Sequence, residues 1–140
     1  MSNITSVLKL IVLADDPENA EIMSELSCLP GTFDVLGIAY SVPDLIKLAD
    51  QKTPDVLLVD YFFWHEPAAD GLDKFVRSFE NIPIVLLSNF PALLEDIFHP
   101  QKSKGLLSIC RQPNSLDEYK IVSDELLRAY EHAQSRARRA

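Results

Sequence analysis

Short, continuous apolar runs alternate along this chain with segments that are apolar on one side only. Leu10 to Leu13 (LIVL), Asp34 to Tyr40 (DVLGIAY), Val56 to Val59 (VLLV) and Ile82 to Leu87 (IPIVLL) are runs of the first kind. Leu106 to Ile109 (LLSI) is a weaker fifth. Short runs rich in Val, Ile and Leu predict strands buried on both faces of a parallel sheet.

The intervening segments carry their apolar residues at helical spacing. Pro17 to Leu26 places Ala20, Ile22, Met23 and Leu26 on one side, with Asp16 as N-cap and Pro17 as first helical residue. Val42 to Ala49, Leu72 to Phe79 and Pro91 to Phe98 follow the same pattern. Leu116 to about Ala133 closes the chain with Leu116, Tyr119, Val122, Leu126, Ala129, Tyr130 and Ala133. The Met and aromatic residues in these segments read as core. Five strands alternating with five helices predict a doubly wound α/β fold with a five-stranded parallel sheet.

Composition narrows the picture. The 140 residues suit one domain, read as spanning 1–140 with a core of about 9–133 and a short basic tail. At 47% apolar and 24% charged residues the chain is globular. A net charge of −8 argues against direct nucleic-acid binding, because such a chain gains nothing from a phosphate backbone. Arg136, Arg138 and Arg139 read as a solvated, frayed end. Cys28 and Cys110 are far apart with no CxxC, as in reduced cytosolic proteins. No apolar stretch approaches the roughly 20 residues of a membrane span, and the N-terminal run is too short for a signal peptide. The expectation is a cytoplasmic protein without membrane contact.

In such a sheet, ligands bind beyond the carboxyl ends of the strands. The first strand runs into Asp15 and Asp16, the third into Asp60, the fourth into Ser88-Asn89 and the fifth into Cys110-Arg111. Crowded carboxylates repel unless a cation joins them. An oxygen-only donor set suits Mg²⁺ better than zinc. One carboxylate could then attack phosphorus, with a hydroxyl and a cation bonding the phosphoryl oxygens. An Asp after a strand is commonly only a cap or turn residue. Asp16 taken alone reads as the cap. Asp60 reads as functional, because it closes the most apolar strand and Tyr61 to Trp64 is no turn signature. Ser88 taken alone is undecided. Trp64 reads as packing, and His65 as facing solvent.

These residues resemble the receiver domains of two-component response regulators over roughly Lys9 to Ala133. KLIVLADDPENAEI resembles the first strand and acidic loop of that family. TPDVLLVDYFF resembles the third strand with its phosphoacceptor aspartate. Asp70-Gly71 resembles the opening of the third helix, and IPIVLLSNF the fourth strand with its Ser or Thr. The resemblance implies a flavodoxin-like (βα)5 fold. It implies that Asp60 accepts a phosphoryl group from a histidine kinase or phosphotransfer protein. Mg²⁺ would be held by Asp15, Asp60 and the backbone carbonyl of Phe62, with Asp16 joining if Asp15-Asp16 is the family's acid pair. The alternative alignment puts Ala14 at the first acidic position. Ser88 would bond the phosphoryl group. The signal would pass to a downstream protein partner, with a homodimer through the fourth and fifth helices as a further expectation.

Three features depart from the family. Ala14 or a shortened loop alters the acid pair. The eleven residues from Asp60 to Gly71 exceed the usual spacing. No lysine fits the end of the fifth strand, where Arg111 is the candidate substitute. The usual aromatic switch residue is also missing, with Leu106 and Ser108 nearest. The resulting expectation is a phosphoacceptor signalling protein rather than a metabolic enzyme. The alternative is a phosphorylation-independent pseudo-receiver acting as an interaction module. A small α/β enzyme of shared topology is the third reading, disfavoured by the absence of a Gly-rich phosphate loop.

Overall fold

A computed structural model of the chain describes residues 7–27, 32–60, 79, 81–97 and 107–139. Within them lie β1 (Leu8–Leu13), α1 (Pro17–Ser27), β2 (Phe33–Ala39), α2 (Val42–Lys52) and β3 (Val56–Asp60). They are followed by β4 (Ile84–Ser88), α3 (Pro91–Ile97), β5 (Leu107–Arg111) and α4 (Leu116–Arg139). The predicted helix Leu72 to Phe79 falls outside the described residues apart from Phe79, which is buried. Cys28 and the segment from Tyr61 to Gly71, with Phe62, Trp64 and His65, also fall outside them.

The five strands form one sheet in the order β2-β1-β3-β4-β5, and every pairing is parallel. β1, β3 and β4 are the interior strands, and β3 and β4 are buried along their whole length. Such strands need apolar residues on both faces, which is why their sequences are continuous rather than alternating. Two cores result. On one face, Leu10, Val12, Val56, Leu58, Val85 and Leu87 pack with Ala20 and Met23 of α1 and Val122, Leu126 and Ala129 of α4. On the other, Ile11, Leu13, Leu57, Val59, Ile84 and Leu86 pack with Leu45 and Ala49 of α2, Leu94 of α3 and Phe79.

Element ends differ from the predicted ones for local reasons. Pro83 has no N–H for the ladder, so β4 begins at Ile84 rather than Ile82, although the Pro83 carbonyl still accepts from Leu57 N–H. β5 extends to Arg111 because the ladder continues: Gln112 N–H donates to the Ser88 carbonyl at 2.8 Å. The frayed end expected at Arg136 to Arg139 is instead helical, as α4 runs through Arg139. Its final residues are Ala, Arg, Gln and Ser with neither Gly nor Pro, so nothing local stops the helix. Among the described residues no helix is long and apolar enough to cross a membrane.

From β1 the chain turns to β2 on one side, and later enters β3 on the other side of β1. The carboxyl ends of β1 and β3 therefore flank a crevice, the usual ligand position in open α/β sheets.

Candidate functional site

β3 delivers Asp60 to that crevice. Asp60 is 0% exposed, pairs with Leu87 of β4, and by strand alternation shares a face with Val56 and Leu58. This is the face covered by α1 and α4. A carboxylate without solvent needs donors. One comes from Asn19, whose side-chain amide donates to Asp60 Oδ2 at 2.5 Å.

β1 is followed by Ala14, which is fully buried, with its N–H bonded to the Ala39 carbonyl. Asp15 and Asp16 follow and are exposed. Asp16 caps α1, as its position before Pro17 predicts: its Oδ1 accepts the Asn19 backbone N–H at 2.8 Å. The capped first turn orients the Asn19 side chain toward the crevice. There Nδ2 also donates to Asp15 Oδ1 at 3.1 Å. One amide nitrogen thus joins Asp15 and Asp60, residues from the ends of two different strands.

Ser88 ends β4 on the strand next to Asp60, one residue beyond its register partner Leu87. Ser88 is 2% exposed, and its Oγ accepts the Phe90 N–H at 2.9 Å. The hydroxyl hydrogen is not consumed by that bond. Arg111 stands opposite Ser88 in the β4–β5 register and is exposed. It follows the alternation of Leu107 and Ile109, as Ser88 follows that of Ile84 and Leu86, so both leave their strands on the α2–α3 face and reach Asp60 only around the carboxyl edge of the sheet.

Three residues of the site escaped the sequence reading. Gln112, just past β5, has a buried Oε1 with no hydrogen-bond partner among the described residues. Alternation with Cys110 assigns it to the face of Asp60. The signal was a polar residue wedged between the strand end and Pro113, which is buried. Tyr119 read as core and is indeed buried on α4. Burial first, then the Asp60 carboxylate, pushes its hydroxyl above the usual tyrosine range. The phenol therefore senses the charge at the end of β3. Asn19 was visible only as a polar residue in the first turn of a helix.

Among the described residues no three His, Cys, Asp or Glu side chains gather into a metal cluster. Asp15 and Asp60 nevertheless reach a common atom, so their oxygens are separated by no more than two hydrogen-bond lengths laid end to end. Mg²⁺ commonly binds through one or two carboxylates and keeps several waters. The pair fits that requirement. Phe62 falls outside the described residues.

No protein-family model matches the chain. Solved structures do. The signal receiver domain of an HD domain-containing protein from Pseudomonas fluorescens Pf-5 superposes with a TM-score of 0.72 at 14% identity, covering 100% of this chain and 98% of that one. The signal receiver domain of NarL from Mycobacterium tuberculosis gives a TM-score of 0.65 at 22% identity over 91% of this chain and 98% of that one. The response regulator PhyR from Brucella abortus gives 0.70 at 20% identity, covering 94% of this chain but 52% of PhyR. The chain therefore has the receiver fold, flavodoxin-like in topology, as the sequence predicted. At these identities the likeness is one of fold.

Proposed function

We propose that this chain is a response-regulator receiver that accepts a phosphoryl group on Asp60 in the presence of Mg²⁺ and signals through protein contacts. The observation that carries this reading is the convergence of Asp60 and Asp15 on one donor atom at the switch point of a receiver sheet. A bound Mg²⁺ would offset carboxylate repulsion and the charge of the transferring group. Asp15 and Asp60 would hold it, with the Phe62 carbonyl as the further ligand implied by the resemblance. Asp16 is assigned mainly to the helix cap, since its Oδ1 already accepts a backbone N–H.

In this reading an Asp60 oxygen attacks phosphorus of a phosphohistidine on a kinase or phosphotransfer protein. The O–P bond forms, the P–N bond breaks, and the imidazole leaves with the electron pair and takes a proton from solvent. Ser88 Oγ donates its hydroxyl hydrogen to a phosphoryl oxygen. Gln112 supplies a neutral amide on the same face, and Arg111 is left for the rim, where a guanidinium can meet a donor protein or a longer phosphate-bearing ligand. The downstream partner reads the change at the β4 end, through Ser88 and the exposed Phe90 two residues on. A homodimer through α3 and α4 and a cytoplasmic location belong to the same proposal.

The test is incubation with Mg²⁺ and acetyl phosphate, read by intact mass, and with beryllofluoride, read by emission of the single tryptophan, Trp64. A mass gain in wild type that Asp60→Ala lacks supports the proposal. Identical behaviour of the two proteins sinks it. The second reading, a pseudo-receiver that signals without phosphate, is favoured by one observation: the Asn19 amide already donates to both acids. It predicts partner capture that survives Asp60→Ala.

A further inference from the structure

We infer that Asn19 is an internal competitor for the divalent cation, an amide latch that holds Asp15 and Asp60 together until the ion displaces it. The inference rests on the assignment of those two aspartates as the metal-holding pair. Its own evidence is the position of one nitrogen. Asn19 Nδ2 lies 3.1 Å from Asp15 Oδ1 and 2.5 Å from Asp60 Oδ2. An amide NH₂ has two hydrogens, and each is accounted for by one carboxylate. The partial positive charge of those hydrogens therefore occupies the region where both acids point, which is where a shared cation would have to sit. Like-charged groups repel, so amide and ion exclude each other.

The latch is held in place rather than loosely attached. Asn19 sits at the third position of α1, and its backbone N–H is bonded to the Asp16 cap at 2.8 Å. The cap sets where the helix begins, and the helix sets where the amide reaches. Asp60 is fully buried, so a donor to it is worth more than a surface contact, and breaking that bond costs correspondingly more. A cation binding this pair must first take the protein to the unlatched state. Apparent affinity is then the intrinsic affinity reduced by the unlatched fraction. Asn19 is thus a positioning residue: it sets the Mg²⁺ concentration at which Asp60 becomes reactive. It also ties the first turn of α1 to the end of β3, so cation binding releases the start of that helix.

The prediction runs against the usual effect of removing a polar residue from a metal site. Asn19→Ala and Asn19→Leu each remove the donor, and Leu does so at nearly the original volume. Both should bind Mg²⁺ roughly tenfold more tightly than wild type, about the worth of one charge-assisted hydrogen bond at the low end of its range. The measurement is calorimetric titration of the full chain with MgCl₂, with circular dichroism to confirm that each variant is folded. Tighter binding in both variants supports the latch. Equal affinity overturns it. Weaker affinity in both overturns it too, since the amide would then serve as a ligand through its oxygen. No measurable binding in any of the three proteins also overturns it, because removing a competitor should reveal the site. The acetyl phosphate mass gain, measured alongside, separates this inference from the proposed function. Ordered Mg²⁺ affinities without an Asp60-dependent mass gain leave the latch and remove the phosphoacceptor. The reverse result removes the latch alone.

Discussion

The two sides of the crevice are built from similar polar groups and satisfy them differently. On the β1–α1–β3 side the polar groups at the crevice bond one another: Asp16 caps α1, and Asn19 binds Asp15 and Asp60 together. On the β4–β5 side the groups are held in place but left incomplete. Ser88 is buried and its Oγ accepts the Phe90 N–H, and Gln112 has a buried oxygen without a partner among the described residues. The difference teaches where change is cheap. A ligand arriving on the first side must displace an existing bond. One arriving on the second side finds groups whose desolvation has already been incurred.

The largest effect that would break this comparison concerns Cys110, on the β5 side against α4. Burial, then the Glu125 carboxylate, pushes its thiol up to about 11, although Arg128 pulls the other way. At pH 8 its thiolate should be about 100-fold scarcer than that of an ordinary thiol, and alkylation slower in proportion. Labelling in a Cys28→Ser background, folded against urea-unfolded, measures this. Equal rates would mean the β5 side is open to solvent. The sign for stability follows. A folded thiol with a raised value holds its proton where the unfolded one has lost it, so stability should fall as pH rises from about 9 to about 11 and be unaffected below.

Next in size is the pair of amide-to-leucine changes. Asn19→Leu, in the absence of divalent cation, leaves a buried carboxylate short of a donor and should destabilise by about 1–3 kcal/mol. Gln112→Leu removes an unpartnered buried acceptor at similar volume and should be neutral or stabilising by about 1 kcal/mol. Opposite signs in urea titrations sharpen the contrast between the two sides, and equal losses erase it. Asp16→Ala should cost about 1 kcal/mol through the lost cap. A loss confined to high Mg²⁺ would point to a ligand role instead. The smallest effect is electrostatic. Asp60→Asn should lower the titration point of Tyr119 without returning it to the ordinary value, because burial is the larger cause. Ultraviolet absorbance of tyrosinate reads this directly, and an unmoved Tyr119 would place the phenol out of reach of Asp60.

Much of the molecule was legible in the chain for a plain reason. Val56 to Val59 and Ile84 to Leu87 are apolar at every position, and only a sheet covered on both faces can bury such runs. The order of runs and amphipathic segments then leaves few topologies. Asp16 and Pro17 marked the start of α1 because capping is a local interaction within four residues. The strand ends likewise marked Asp15, Asp60 and Ser88 as residues brought to one edge of the sheet.

The amino-acid sequence by itself thus determined the fold and the edge where chemistry can occur, since periodicity and caps act over a few residues. It did not reveal which of the edge residues meet. Asn19 lies forty-one positions from Asp60 and touches it only because β1 and β3 are neighbours and α1 begins where it does. Arg111 and Gln112 are adjacent in the chain, yet alternation gives them opposite faces, and only Gln112 continues the face of Asp60. Tyr119 has the same helical spacing as its core neighbours, and only the packing of α4 against the sheet brings it within the field of Asp60. Contacts across the chain depend on registers and helix origins that no local pattern encodes, and the partners of Asp60 are contacts of that kind.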